Sequence, residues 1–353
     1  MEIGSRNNIA TPPQPSLGKK RYGKRFWLVG GLIVGVVLLL VMLVAGIMLG
    51  AAEISPQTVF DALFNYDENV FEHLIIQTVR LPRVLAGAIV GASLAVAGAI
   101  MQGVTRNPLA SPGILGVNAG AAFAVVVAVY VLGNIPLSAY AGFAMIGATV
   151  AAAVVYGLGS MGRSGATPLR LTLAGVIMTS FTSSFTTAIL ISDRDTLDQI
   201  RFWTVGSLAG RDFPLLTQTA PWMIVGMIGA LLLARQITTI SLGDDIAAGL
   251  GQNTIIVKAL AALMVVCLAG GAVALAGPIG FVGLVAPHLV RFLVGVDYRW
   301  ILPYSALTGA LLVIGGDLVA RIIIRPLELP VGVMMALIGA PFFVYLARWR
   351  VKS

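Results

Sequence analysis

Of 353 residues, 58% are hydrophobic and only 11% charged, with a formal net charge of +8. Soluble domains carry about 25% charged residues, so this composition excludes water as the main solvent of the surface. The single cysteine excludes a disulfide framework and a cysteine metal site.

Residues 1–25 read as a basic tail, Pro/Ser/Asn-rich and ending in the cluster Lys19, Lys20, Arg21, Lys24 and Arg25. The uncharged run that follows, 26–52, is far longer than the 7–15 residues of a signal peptide core. It reads as an uncleaved first membrane span, since a helix needs about 20 apolar residues to cross the hydrocarbon. Further uncharged runs occupy 84–105, 107–162, 171–192, 213–234, 259–287, 300–316 and 329–347. Two are too long for one helix and carry strong breakers, Gly-Asn-Ile-Pro at 133–136 and Gly-Pro at 277–278. The expected fold is all-α, a polytopic membrane helix bundle of about ten transmembrane helices over 26–350.

Charge sets the expected orientation. With the amino terminus placed in the cytoplasm and the sides alternating, sixteen of the 23 Lys and Arg fall inside, while ten of the 15 Asp and Glu fall outside. This is the positive-inside asymmetry, and it places both termini in the cytoplasm. The basic balance thus reflects membrane orientation and leaves nucleic acid nothing to explain.

Exceptions to that map are candidate sites. Arg80 and Arg83, in Arg80-Leu-Pro-Arg83 just before the second span, and Arg321 at the end of the ninth fall on the outer side. They could hold an acidic partner or an anionic substrate, or snorkel at the interface. Asp317 is the lone acid within a span, readable as a proton relay or as the i,i+4 partner of Arg321. In the fifth span Thr172, Thr179, Ser183, Thr186 and Thr187 share one helical face. That face could line a hydrated path, or its hydroxyls could bond their own i−4 carbonyls. The Gly87-Ala-Ile-Val-Gly91 pattern favours close helix packing.

Between spans six and seven, 236–255 is too polar to cross and reads as two short helical turns on the inner side, with Ile246, Ala247 and Leu250 forming an apolar edge suited to a partner groove. His288 and His73 lie far apart, so no metal site is expected. The chain has no phosphate loop, no paired catalytic carboxylates in a span and no Ser/His/Asp or His-Glu-x-x-His arrangement. No catalytic residue and no ATP hydrolysis by the chain alone are expected.

Five motifs occur in a familiar order. They are Arg80-Leu-Pro-Arg83, Asn107-Pro-Leu-Ala-Ser-Pro-Gly-Ile-Leu-Gly-Val-Asn-Ala-Gly120, the Leu-Gly loop of 242–251, Gly277-Pro-Ile-Gly-Phe-Val-Gly-Leu-Val-Ala-Pro-His288, and Glu328-Leu-Pro-Val-Gly332 with Gly339-Ala-Pro-Phe342. Together they resemble the permease subunits of binding-protein-dependent ABC importers for iron-siderophores, haem and vitamin B12, over about residues 50–350. The resemblance implies a bacterial cell-membrane protein that pairs with a second permease subunit, the same or a homologous chain. It also implies two ATP-binding subunits, which hold the ATP and magnesium, and an extracytoplasmic substrate-binding protein. No cofactor is implied on this chain.

By the same resemblance Arg80, Arg83 and Arg321 match the arginines that meet acidic residues of the binding protein. Leu242, Gly243, Asp244, Asp245, Ala247, Leu250 and Gly251 match the ATPase-coupling segment. Thr167, Pro168 and Leu169 lie where the family closes its cytoplasmic gate, although Pro168 and Leu169 replace the small hydroxyl residues of some relatives. Thr172, Thr179, Ser183 and Thr187 fall on the span that lines the translocation path. The form of the second motif looks more like siderophore than cobalamin members. A haem or cobalamin permease, or a proton-coupled secondary transporter using Asp317, are the alternatives.

Overall fold

The computed structural model describes residues 17–50, 54–161, 167–324 and 327–350. Residues 1–16 of the tail and Ala166 of the gate loop lie outside this set. Fourteen helices are present among the described residues, and no strand. In chain order they are α1 (Leu17–Met48), α2 (Pro56–Phe64), α3 (Phe71–Val104), α4 (Val117–Leu132), α5 (Leu137–Ser160), α6 (Pro168–Ser192) and α7 (Arg194–Thr204). The second half holds α8 (Phe213–Leu232), α9 (Ala234–Ser241), α10 (Asp244–Gly249), α11 (Thr254–Ala276), α12 (Val282–Val294), α13 (Tyr298–Ile322) and α14 (Val331–Arg350).

Seven of these, α1, α3, α5, α6, α8, α11 and α13, are long and apolar enough to cross a membrane, and α4, α12 and α14 are shorter apolar helices. They account for the ten expected spans. The chain is a multi-pass helical membrane protein, in which each helix satisfies its own backbone polar groups where no water can.

Both breakers end helices as expected. Gly133 (φ +76°) closes α4 ahead of Pro136, and Gly277 (φ +76°) closes α11. Three boundaries differ from expectation. The second span starts at Phe71, so Arg80 and Arg83 sit within the helix and not ahead of it. A π turn over Ile76–Arg80, in which Leu81 N bonds Ile76 O, widens the helix just before Pro82. Proline lacks an N–H and crowds the carbonyl four residues back, which the wider turn relieves. Residues 107–116 stay outside the third span, as a loop with one 3₁₀ turn over Pro112–Leu115. Finally, α1 begins at Leu17, so the basic cluster continues the first helix and is not part of an irregular tail.

The core is built around α3. A Cβ on Gly91 would lie 2.3 Å from Gly309 O and one on Gly98 only 1.8 Å from Gly283 O, so α3 touches the backbones of α13 and α12 directly. Without a hydrophobic drive between helices in lipid, such close approach supplies the dispersion contact that holds them together.

Candidate functional site: two polar ends of one bundle

The described charged side chains that take part in tertiary contacts gather at the two ends of the bundle. At the end expected to face outward, Arg83 forks onto Asp317, with Nε 3.1 Å from Oδ2 and Nη2 2.8 Å from Oδ1. Its Nη1 reaches Glu328 Oε2 at 2.6 Å. Arg321 also grips Asp317, Nε to Oδ2 at 2.9 Å, and donates to Gly46 O at 2.9 Å. Arg80 donates to Ile47 O and Met48 O at 2.7 and 2.8 Å. Gly46 to Met48 form the end of α1, whose last carbonyls have no partner within the helix. The cluster therefore ties α1, α3, α13 and the 327–330 loop together.

The three arginines are brought together as expected, but they are buried, at 7%, 7% and 4% exposure for Arg80, Arg83 and Arg321. Snorkelling, one of the two readings offered for them, does not describe this arrangement. The i,i+4 pairing of Asp317 with Arg321 is present. Held between two guanidinium groups and itself buried, Asp317 is not placed as a free proton relay. The parts that sequence reasoning missed are the Arg83–Asp317 fork, spanning 234 positions, and the role of Glu328. Glu328 had appeared only as the first letter of a motif.

At the opposite end, the two expected short turns are α9 and α10, separated by Gly243 with φ +135°. Leu242, at the end of α9, and Ile246 and Leu250, four residues apart on α10 and its C-cap, are exposed. Ala247 does not belong to that edge. It is fully buried against Ile240 and Val257, because it lies on the face of α10 that packs onto α9 and α11. The apolar edge is thus Leu242, Ile246 and Leu250. Asp245 and Gly251 (φ +79°) lie on the exposed side of the segment. Asp244 faces inward: its Oδ2 is 2.8 Å from Lys258 Nζ on α11 and 3.8 Å from Arg106 Nη2, just past α3. The Lys258 side chain is buried, which strengthens the pair relative to a surface bridge.

The hydroxyls of α6 divide between the two readings. Thr172 bonds Pro168 O at 2.9 Å and Thr186 bonds Thr182 O at 2.8 Å, both i−4 back-bonds. Thr179 is half-buried, Ser183 and Thr187 are exposed, and none of their three side-chain hydroxyls makes a hydrogen bond among the described residues, although the Thr179 carbonyl accepts from Thr182 Oγ1. At the start of the same helix Thr167 is the N-cap, accepting from Arg170 N, Pro168 takes the first helical position, and Leu169 is exposed. A capping hydroxyl and an N1 proline are the residue types that begin a helix.

The other motifs meet through close packing. Gly332 N bonds Gly206 O at 3.0 Å, a Cβ on Gly277 would lie 2.1 Å from Trp203 O, and one on Gly339 would strike the Phe281 ring. Phe281 has φ +65°, and His288 stacks edge-on against Phe342. Among the described residues no group of His, Cys, Asp and Glu could hold a metal ion.

The model of the FecCD transport family matches residues 38–349. The chain belongs to the FecCD transport family. It is 46% identical over 326 residues to the Bacillus subtilis (strain 168) protein named Probable siderophore transport system permease protein YfiZ, covering 92% of this chain and 97% of that one. It is 47% identical over 317 residues to the iron(3+)-hydroxamate import system permease protein FhuB of the same strain, covering 90% and 82%. A solved structure described as an inward-facing conformation of a putative metal-chelate type ABC transporter superposes with a TM-score of 0.80 at 29% identity, covering 91% of this chain and 99% of that one. The chain is thus a member of a transport family.

Proposed function

We propose that this FecCD chain is the permease subunit of an ATP-driven importer that carries ferric siderophore-type chelates into the cytoplasm. The observation that carries this reading is the near-full-length identity to permeases named for siderophore and iron-hydroxamate transport. Two permease chains enclose the path, with α6 and the hydroxyls of Thr179, Ser183 and Thr187 along it and Thr167 to Leu169 at its cytoplasmic end. Two ATPase subunits engage the Leu242, Ile246 and Leu250 edge, which presents apolar side chains at a spacing suited to a groove. Their closure reaches the spans through the tie of Asp244 to Lys258 and Arg106.

On the outer side, an extracytoplasmic binding protein docks over Arg80, Arg83 and Arg321. Guanidinium groups take carboxylates through charge-assisted, bidentate hydrogen bonds, as Arg83 does here with Asp317, and an acidic side chain of the partner is recognised by the same chemistry. Docking at that point bears on α1, α3 and α13 at once, because the cluster ties them together. Native mass spectrometry of the gently solubilised complex tests the assembly. It is expected to show two permease chains with two ATPase chains, and a permease that never co-purifies with an ATPase would refute it.

A further inference from the structure

Beside the arginine cluster lies a cavity of about 530 Å³. Arg83, Tyr140, Trp203, Arg211 and Glu328 line it, together with an apolar collar that includes Leu137 and Phe202. Two side chains in this lining carry N–H groups without an acceptor among the described residues. Arg211 is 5% exposed and its only hydrogen bond runs from Nε to Ser207 O at 3.2 Å, so neither terminal nitrogen has a partner among the described residues. Trp203 is 4% exposed and its Nε1 has no hydrogen bond, while its ring is held edge-on by Tyr140 with centroids 6.1 Å apart. Burial pushes the Arg211 guanidinium down to about 10, and the neighbouring Asp212 only partly offsets this. Among the described residues this buried guanidinium forms no ion pair, an arrangement that costs stability unless an anion completes it.

The wall carrying these donors is fixed in place. Ser207 N bonds Ala276 O at 2.8 Å, and Gly332 N bonds Gly206 O at 3.0 Å. A cationic fork inside an apolar collar suits a carboxylate on a short methylene stem, with the stem packed on Leu137 and Phe202 and the carboxylate on Arg211. A hydrated free anion would gain little from the apolar collar.

We propose that this cavity is a socket for one acidic side chain of the extracytoplasmic binding protein, held by Arg211 and Trp203 Nε1. This rests on the reading that such a protein docks on the outer face, and it adds a contact separate from the three clustered arginines. The test uses the permease–ATPase complex in nanodiscs, titrated with the importer's own purified binding protein. R211Q is expected to weaken association by about 30-fold or more, as removal of one partner of a buried charge pair does, and R211K, which keeps the charge but loses the fork, by less. W203F, which keeps the ring and removes only the N–H, is expected to weaken it by a few-fold. A Glu→Gln and Asp→Asn scan of the binding protein is expected to reveal one position whose loss is not additive with R211Q.

Wild-type affinity in both R211Q and W203F, with affinity lost in R83K, overturns the socket and leaves docking standing. Failure of the binding protein to bind the unaltered complex overturns both readings. Citrate alone binding the complex in an Arg211-dependent way, with binding-protein affinity unaffected by R211Q, assigns the cavity to a free carboxylate and overturns the protein source.

Discussion

Asp317 sits between two guanidinium groups, and its side chain is 3% exposed. Replacing it with Asn would remove the carboxylate between Arg83 and Arg321 and leave Arg83 with Glu328 as its remaining described counter-charge, and breaking a buried pair in this way costs about 3–5 kcal/mol. Asp317→Asn is therefore expected to lower the unfolding midpoint of the permease in micelles strongly. Glu328 offers a contrast, since its side chain is 34% exposed and its one ion pair among the described residues is with Arg83. Solvent screening reduces that bond to about 0–1 kcal/mol, so Glu328→Gln is expected to leave the midpoint nearly unchanged. Comparable losses in both variants would show that burial does not set the strength of this cluster. At this scale the sequence carried the i,i+4 pair of Asp317 and Arg321, because a helix repeats every 3.6 residues. It could not carry the fork from Arg83, since no local spacing links residues 234 positions apart.

At the scale of elements, α3 links the two polar ends. It bears Arg83 in its first half, on the side of one polar end, and Arg106 follows it at the other. Between them the contacts of Gly91 and Gly98 leave no room for a methyl group. Gly98→Ala is expected to force α3 and α12 apart and to abolish the monodisperse peak in size-exclusion chromatography. Gly142→Ala, with nothing within 4 Å of the added carbon, is expected to elute as the parent does. The glycine pattern was legible, but its partners were not. Gly87 would place a Cβ 3.2 Å from a flexible Leu208 side chain, whereas Gly91 meets backbone.

Asp244 belongs to the same scale. Charge-assisted hydrogen bonds contribute about 1.5–3 kcal/mol, so Asp244→Asn is expected to lower uptake per ATP hydrolysed by about tenfold or more in proteoliposomes. Exchanging Asp244 and Lys258 is expected to recover part of that loss, with Arg106, 3.8 Å away, opposing full recovery. Unaltered coupling in Asp244→Asn would remove the tie from the account. The sequence showed two short turns punctuated by glycine, yet it assigned Ala247 to the exposed edge. Small residues are compatible with either face of a short helix, and only the packing of Ile240 and Val257 decides.

For the whole molecule, hydropathy and charge sufficed to give ten spans and an order of sides, because the bilayer imposes length and charge asymmetry on every crossing. The ends met as that order required, Arg106 with Asp244 and Lys258 at one and Arg83 with Asp317 and Glu328 at the other. The π turn at Ile76–Arg80 and the brevity of α12 were not legible, since both answer to tertiary packing around a proline and a glycine. The central claim is that transport through this bundle is driven by a partner ATPase. It is tested most directly by uptake of radiolabelled ferric hydroxamate into proteoliposomes holding the permease, its ATPase and its binding protein, with the proton gradient collapsed. Uptake that requires ATP and persists without the gradient is the predicted result. Uptake by the permease alone, driven by an imposed proton gradient and indifferent to ATP, would contradict it.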